Sequence, residues 1–184
     1  MIIFMGVAGS GKSVQGRLLA DKLNLPWLST GEFLRMLVSG ETRQAMMNGQ
    51  LLEDHEIIEL VRKIFAMINT RQQFILDGFP RTISQADWLL NEAKHKQLQI
   101  TAVVNIEVSR EVVAERLLGR GRPDDHEQAI KERFVEYDKA ILPILDDFRK
   151  NGVQIFDVDG DRSVNEVHQD ILGLVGQVIG SSES

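Results

Sequence analysis

One stretch near the start of the chain constrains it most: Gly6-Val7-Ala8-Gly9-Ser10-Gly11-Lys12-Ser13. An apolar run, Met1 to Met5, precedes it, and a segment with helical apolar spacing (Val14, Leu18, Leu19, Leu23) follows. A strand feeding a glycine loop that opens a helix is the context in which G-x-x-x-x-G-K-[ST] cradles phosphate. Glycines reach backbone angles forbidden to other residues, so successive N–H groups converge on an anion, and the helix adds its positive end. Lys12 is placed to reach outer phosphates, and the Ser13 hydroxyl to meet a magnesium ion.

The rest of the chain alternates strand and helix signals. Asn24 and Pro26 stop the first helix, and Trp27-Leu28 reads as a short strand. Ser29-Thr30-Gly31-Glu32 has capping-box spacing and predicts a helix carrying Phe33, Leu34, Arg35 and Leu37. Gly40 interrupts it. A polar helix then runs to Asn48-Gly49, and a third starts near Asp54 with Ile57, Val61, Ile64 and Ile68 on one face. Phe74-Ile75-Leu76 reads as a buried strand ending in Asp77-Gly78-Phe79-Pro80-Arg81, and Thr82-Ile83-Ser84-Gln85 is a capping box opening a helix to about Lys94. Ala102 to Val108 is the longest apolar strand. Ser109 caps a short helix containing Arg116, which gives way to Gly119-Arg120-Gly121-Arg122-Pro123. A long helix is expected from Asp124, with Ile130, Phe134, Tyr137, Ile141, Leu145 and Phe148 in a stripe and a bend at Pro143. Val153 to Val158 is the last strand. Ser163-Val164-Asn165-Glu166 caps a final helix (Val164, Val167, Ile171, Leu174, Val178), and Gly180 to Ser184 reads as a loose tail.

This order predicts an α/β fold, a parallel sheet of about five strands flanked by helices, with ligands at the carboxyl ends of the strands. Both Gly6–Ser13 and Asp77–Arg81 fall at such ends. The 184 residues fit a single domain. The absence of cysteine excludes disulfides and thiolate metal sites. A net charge of −6 with no basic block disfavours nucleic acid as a partner, and no apolar run approaches membrane-spanning length. The expectation is a soluble, cytoplasmic protein.

In an acidic chain, arginines set beside glycines are informative. Arg35, Arg81, Arg116, Arg120, Arg122 and Arg133, with Lys12, form such a set. Guanidinium forks match phosphate oxygens bidentately and stay charged when desolvated. Arg133 falls inside an apolar stripe, and Arg120 and Arg122 are separated only by Gly121. Asp77 ends a buried strand, where a carboxylate needs a partner or a solvated metal; a cap on the next turn is the plainer reading. Asp124 and Asp125 can orient nearby arginines, and Asp124 reads equally as an N-cap. The histidines His55, His95, His126 and His168 are scattered on polar faces without metal-ligand spacing.

Together the motifs resemble one family, the adenylate kinases among the nucleoside monophosphate kinases. The resemblance covers nearly the whole chain and rests on GVAGSGKSVQ (6–15), STGEFLR (29–35), GQLL (49–52), LDGFPRT with Gln85, RLLGRGRPDD (116–125), KERF (131–134) and VDG (158–160). It implies reversible, magnesium-dependent transfer of the γ-phosphoryl of ATP to AMP, giving two ADP, by a monomer. It implies an ATP side made of Gly9, Ser10, Gly11, Lys12, Ser13 and Val14, with Arg116 on the adenine, Arg120, and backbone at Arg162. It implies an AMP side of Thr30, Arg35, Gln50, Leu51 and Leu52, continued by Gly78, Phe79, Pro80, Arg81 and Gln85. Lys12, Arg81, Arg120, Arg122 and Arg133 would act on the transferring group, the last two also holding AMP, and Ser13 and Asp77 would face magnesium through water.

The same resemblance divides the chain into a core (1–29, 70–118, 124–184), an AMP-binding arm (30–69) and a short lid (119–123). Relatives with a long lid insertion sometimes carry zinc there; this chain has only Gly121 between Arg120 and Arg122, and no zinc is expected. Departures from the family pattern are Ala8 for Pro, Ser13-Val14 for Gly-Thr, Glu32 for Asp, and Leu52-Glu53 for Val-Pro. Three other readings compete. A GTPase switch would use Asp157-Val158-Asp159-Gly160 as D-x-x-G, but no N-K-x-D follows. A CMP or UMP kinase would use the same fold, and a nucleotide-binding module without turnover would leave the arginines idle.

Overall fold

The computed structural model describes residues 1–37, 53–95, 98–120 and 127–180, without the side chains of Arg35, Leu37, Arg120 and Ala129. Five parallel strands run in the order β2-β3-β1-β4-β5, with β1 at Ile2–Gly6, β2 at Trp27–Ser29, β3 at Ile75–Asp77, β4 at Ala102–Glu107 and β5 at Ile155–Asp159. The helices are α1 (Lys12–Leu23), α2 (Thr30–Leu37), α3 (Asp54–Ala66), α4 (Ile83–Lys94), α5 (Arg110–Arg120), α6 (Glu127–Glu136), α7 (Leu142–Lys150) and α8 (Val164–Gly180). The α/β expectation therefore holds.

Every residue of β1 is buried, as a central parallel strand covered on both faces requires. Its side chains alternate between two cores. Ile3 and Met5 join Leu76, Val103, Ile64, Leu89 and Phe148 under α3, α4 and α7. Ile2 and Phe4 join Ile75, Val104, Ile106, Leu19 and Ile171 under α1 and α8. A smaller cluster of Val7, Val113, Leu117, Ile130 and Phe134 clamps α5 and α6 beside the glycine loop. Because β1 pairs β3 on one side and β4 on the other, the chain reverses its direction of winding at β1. A crevice opens at the carboxyl end of such a strand.

Three sequence expectations are corrected by packing. On α1 the buried face is Gln15, Gly16, Leu19 and Ala20, and Val14 is 49% exposed. The helix lies close on the sheet, so that a Cβ at Gly16 would sit 3.0 Å from Trp27 Nε1, and the smallest side chain is turned inward. On α8 the buried residues are Val167, Ile171 and Val175, whereas Val164 is half exposed at the first turn. The expected bend at Pro143 is instead a π-helical turn over Tyr137–Ile141, between α6 and α7. Pro143 has no N–H to return to the carbonyl of Lys139, and a wider turn accommodates that loss. The extra residue shifts the apolar stripe, bringing Ile144 into the core beside Leu145 and Phe148.

The caps follow the sequence more closely. Asn24 ends α1 in a left-handed conformation, φ 52°. Ser163 and Glu166 form the full reciprocal box at α8, and Ser163 O–H and N–H donation holds the Glu166 carboxyl below its ordinary value. Glu53 and Glu56 form another at α3. At α2 only the Ser29 half forms, since Glu32 pairs with Arg17 instead. Among the described residues, no helix is long and apolar enough to cross a membrane.

The inward face of α1 generates the first prediction. Leu19→Ala should destabilise the fold by about 2–5 kcal/mol, whereas Val14→Ala should stay within about 0.5 kcal/mol. Urea unfolding of the two variants measures both.

Candidate active site

The loop leaving β1 is pinned by Val7, which is buried against α5 and α6. Gly9 and Gly11 then adopt φ of 94° and 98°, angles that L side chains rarely take. A Cβ at Gly9 would also lie 2.8 Å from Leu117 Cγ. The loop thus opens directly onto the N-terminus of α1, whose first-turn N–H groups face outward. Lys12 Nζ donates to Val7 O at 2.9 Å, folding the lysine back over the loop. The Ser10 side chain is 2% exposed, and its hydroxyl has no hydrogen-bond partner. A buried hydroxyl left unsatisfied is costly, and here it sits in a cradle shaped for oxygen acceptors.

Strand β3 delivers the second half. Asp77 is 2% exposed and accepts a hydrogen bond from Ser13 Oγ at 2.6 Å. Thr30 Oγ1 donates to Gly78 O at 2.8 Å, tying the start of α2 to the turn after β3. The Phe79–Pro80 peptide is cis. Phe79 is buried against Trp88, with ring centroids 5.9 Å apart. Arg81 is exposed, and its Nε donates to Gly78 O at 2.9 Å. Gln85 is buried: its Oε1 accepts from Arg81 N at 2.8 Å and its Nε2 donates to Asp54 Oδ1 at 2.8 Å. The expected reciprocal capping bond to Thr82 N is replaced by this one to Arg81 N, although Thr82 Oγ1 still accepts from Gln85 N at 3.2 Å.

Cations close the other side. Half-buried Arg116 donates to Gly160 O at 2.8 Å and to Ser10 O at 3.4 Å, bridging the glycine loop and the turn after β5. Gly160 is required there, because a Cβ would fall 2.6 Å from Ile106 Cγ2. Arg162 is held by Asp170 and by the carbonyl of Asp159. Arg133 is half-buried on α6, next to the π-helical turn. In that turn Tyr137 Oη donates to Asn105 Oδ1 at 3.1 Å, and burial pushes the Tyr137 hydroxyl above its ordinary value, keeping it a donor.

The glycine loop, the turn after β3 and the cations Arg116 and Arg162 line one cleft of about 810 Å³, in the range of small-molecule sites, while Thr30 and Gln85 are buried behind its wall. Residues Ala8 to Val14, Asp77, Gly78, Arg81, Arg116, Gly160 and Arg162 border it. A smaller cavity of about 100 Å³ shares Lys12, Gly78 and Arg81 with it and adds Phe79, Pro80, Arg133 and Tyr137. The ATP-side residues expected from sequence, Arg120 apart, and the Gly78–Arg81 turn are therefore brought together. Arg35 and Arg120 lie on α2 and at the end of α5 with side chains outside the description. Gln50, Leu51, Leu52, Arg122, Asp124, Asp125 and most of the expected lid lie outside the described residues.

Sequence reasoning missed several groups at the rim. Arg17 lies over the Trp27 ring at 4.4 Å, pairs with Glu32, and both charged residues border the cleft. Glu136 and Tyr137 line the smaller cavity, and Asp54 holds Gln85. Each carries an adequate helical explanation in sequence, so only their spatial partners reveal them. Conversely, Asp157 of the D-x-x-G match is engaged by Asn105 and Arg149 on β4 and α7, away from the glycine loop.

Comparison with known proteins agrees with this geometry. The family model described as adenylate kinase matches residues 4–153. The chain is 37% identical over 177 residues to an adenylate kinase of Corynebacterium urealyticum, covering 93% of this chain and 96% of that protein. It is 36% identical over 181 residues to an adenylate kinase of Leptospira biflexa, covering 93% and 97%. It is also 35% identical over 183 residues to adenylate kinase 1 of Synechocystis, covering 95% and 96%. A glycine loop facing an arginine-bearing turn across one cleft, together with likeness along almost the full length, places the chain in the adenylate kinase family.

Proposed function

We propose that the protein transfers the γ-phosphoryl group of ATP reversibly to AMP, producing two ADP. The observation that carries this reading is the single cleft in which the Gly9–Ser13 cradle faces Gly78–Arg81. An oxygen of the AMP phosphate attacks the γ-phosphorus, and the bond from that phosphorus to the β–γ bridging oxygen breaks. The protein's task is position and charge rather than covalent chemistry. The loop N–H groups and Ser10 hold the β-phosphate region, while Lys12 swings from Val7 O to the transferring group. Arg81 and Arg133 approach from the acceptor side, with Arg35 and Arg122 assigned there by resemblance, and Arg120 on the donor side. Guanidinium groups fixed where the equatorial oxygens gain charge stabilise the transition state more than the ground state.

Ser13 and Asp77 fit a magnesium site. Their donors are hard oxygens, and among the described residues no group of three or more His, Asp or Glu forms a closed cage. Magnesium suits such a site, because it keeps several waters and takes phosphate oxygens as ligands. When bound it neutralises charge on the β- and γ-phosphates. Asp77 then orients the Ser13 hydroxyl, and Arg116 keeps the loop against Gly160.

For the acceptor base, Gln85 and Thr30 support adenine. A glutamine amide presents a donor and an acceptor side by side, matching the adenine edge. Segment 30–69 serves as the acceptor arm and 119–123 as a short lid, in a monomeric, cytoplasmic enzyme.

Two measurements test this reading. A coupled assay with ATP, AMP and magnesium should show ADP formation that disappears in Lys12→Ala; faster turnover of CMP or UMP would favour the pyrimidine kinase instead. Arg133→Lys should lower kcat by more than about tenfold, roughly 1.4 kcal/mol of transition-state stabilisation, with little change in KM. A rise in KM at constant kcat would show that Arg133 binds substrate and transition state equally.

A further inference from the structure

The Gln85 side chain is held at both amide atoms. Its two amide atoms are engaged by groups that permit one orientation only. Arg81 N–H is a donor, so it must meet the carbonyl oxygen, and it does so at 2.8 Å. A carboxylate accepts only, so Asp54 Oδ1 must meet the amide nitrogen, and it does so at 2.8 Å. The positions of oxygen and nitrogen are therefore dictated by the chemistry of the two partners. The second carboxylate oxygen of Asp54 accepts from Thr82 Oγ1 at 2.9 Å, and Thr82 accepts in turn from Gln85 N at 3.2 Å. Asp54, the first residue of α3, thus grips both the cap and the amide at the start of α4.

An amide has two N–H donors and an oxygen with two lone pairs. Arg81 N and Asp54 use one of each, leaving one donor and one acceptor. A 6-aminopurine offers an N–H donor at position 6 and an acceptor at N1. A 6-oxopurine offers the reverse. An amide free to turn over can serve either, whereas an amide locked at both atoms serves one.

We infer that Asp54 is a specificity-determining positioning residue: through its bond to Gln85 it locks the amide in the orientation that accepts 6-amino and rejects 6-oxo purine monophosphates. This inference rests on the proposed role of Gln85 in reading the acceptor base. Asp54 does not touch the nucleotide. It acts across 31 residues of sequence, from the acceptor-side helix α3 to the core helix α4. Selectivity between the two edges is consequently built into the joint between these helices. A site built for one hydrogen-bonding pattern can discriminate strongly against its inverse, because the wrong partner leaves buried polar groups unpaired.

The test compares kcat/KM for AMP and for IMP in the full-length enzyme. Asp54→Ala should lower the AMP-to-IMP ratio by about tenfold or more, mainly through a higher KM for AMP. Asp54→Asn, whose side-chain oxygen can still accept from Gln85 and whose amide can donate to Thr82, should restore the ratio to within about threefold. Should the alanine variant not fold, Asp54→Ser takes its place, being compatible with a helix start but too short to reach Gln85. A ratio unchanged in the Ala or Ser variant overturns the inference. Gln85→Leu separates the two levels of the argument. If it leaves the ratio unchanged, the base-reading role of Gln85 itself fails; if it collapses the ratio while Asp54→Ala does not, only the positioning role fails.

Discussion

The hydrogen bond from Ser13 Oγ to Asp77 Oδ2, 2.6 Å long, joins the two halves of the site. Asp77 ends a strand flanked by β1 and β2, where it is 2% exposed. A carboxylate there is costly unless something polar answers it. The answer comes from the first turn of α1, which can reach only because β1 and β3 are neighbours in register, Phe4 opposite Asp77. That pairing in turn requires a crossover through α1, β2, α2 and α3. The glycine loop and the turn after β3 therefore share a cleft as a consequence of sheet order. The parallel sheet fixes where phosphates can go before any arginine is considered.

Around that anchor, helices α2 and α3 are attached at their N-termini by polar joints. Thr30 ties α2 to the carbonyl of Gly78, and Asp54 ties α3 to Thr82 and Gln85. Further along, α3 packs conventionally through Val61, Ile64 and Phe65, with Phe65 edge-on to Phe74 at 5.5 Å. Hydrogen bonds to neutral groups contribute about 1 kcal/mol each, and those to charged groups about 1.5–3 kcal/mol. Joints of that size hold a geometry without freezing it. On the opposite side, Arg116 links the loop to Gly160, and Tyr137 links the π-helical turn to Asn105 in β4. Arg133 is thereby carried on a helix whose departure from regular geometry lies immediately beyond it.

Much of this was legible in the sequence because it depends on local rules. The glycine loop, the strand ends and the caps at Ser109, Thr82 and Ser163 are set by residues within a few positions of one another. What depends on packing was not legible. The inward face of α1 is chosen by the close approach of Gly16 to Trp27, which helical periodicity counts as a gap rather than a contact. The π-helical turn inserts one residue into an otherwise regular stripe, and Pro143 announces only that something must give. Asp54 reads in sequence as an ordinary acidic residue in a first helical turn. Its bond to Gln85, which arrives from another helix, is a product of tertiary packing.

The central claim is that donor and acceptor nucleotides occupy one continuous cleft, bordered by Lys12 and Arg81 together. Calorimetric titration with two adenosines joined by a pentaphosphate tests it most directly. Joining two ligands that bind side by side makes the second contact intramolecular, so affinity should exceed that of ATP or AMP by about a hundredfold or more. The account predicts one molecule bound per chain, with both ATP and AMP displaced by it. Two molecules per chain, or displacement of ATP alone, would contradict it.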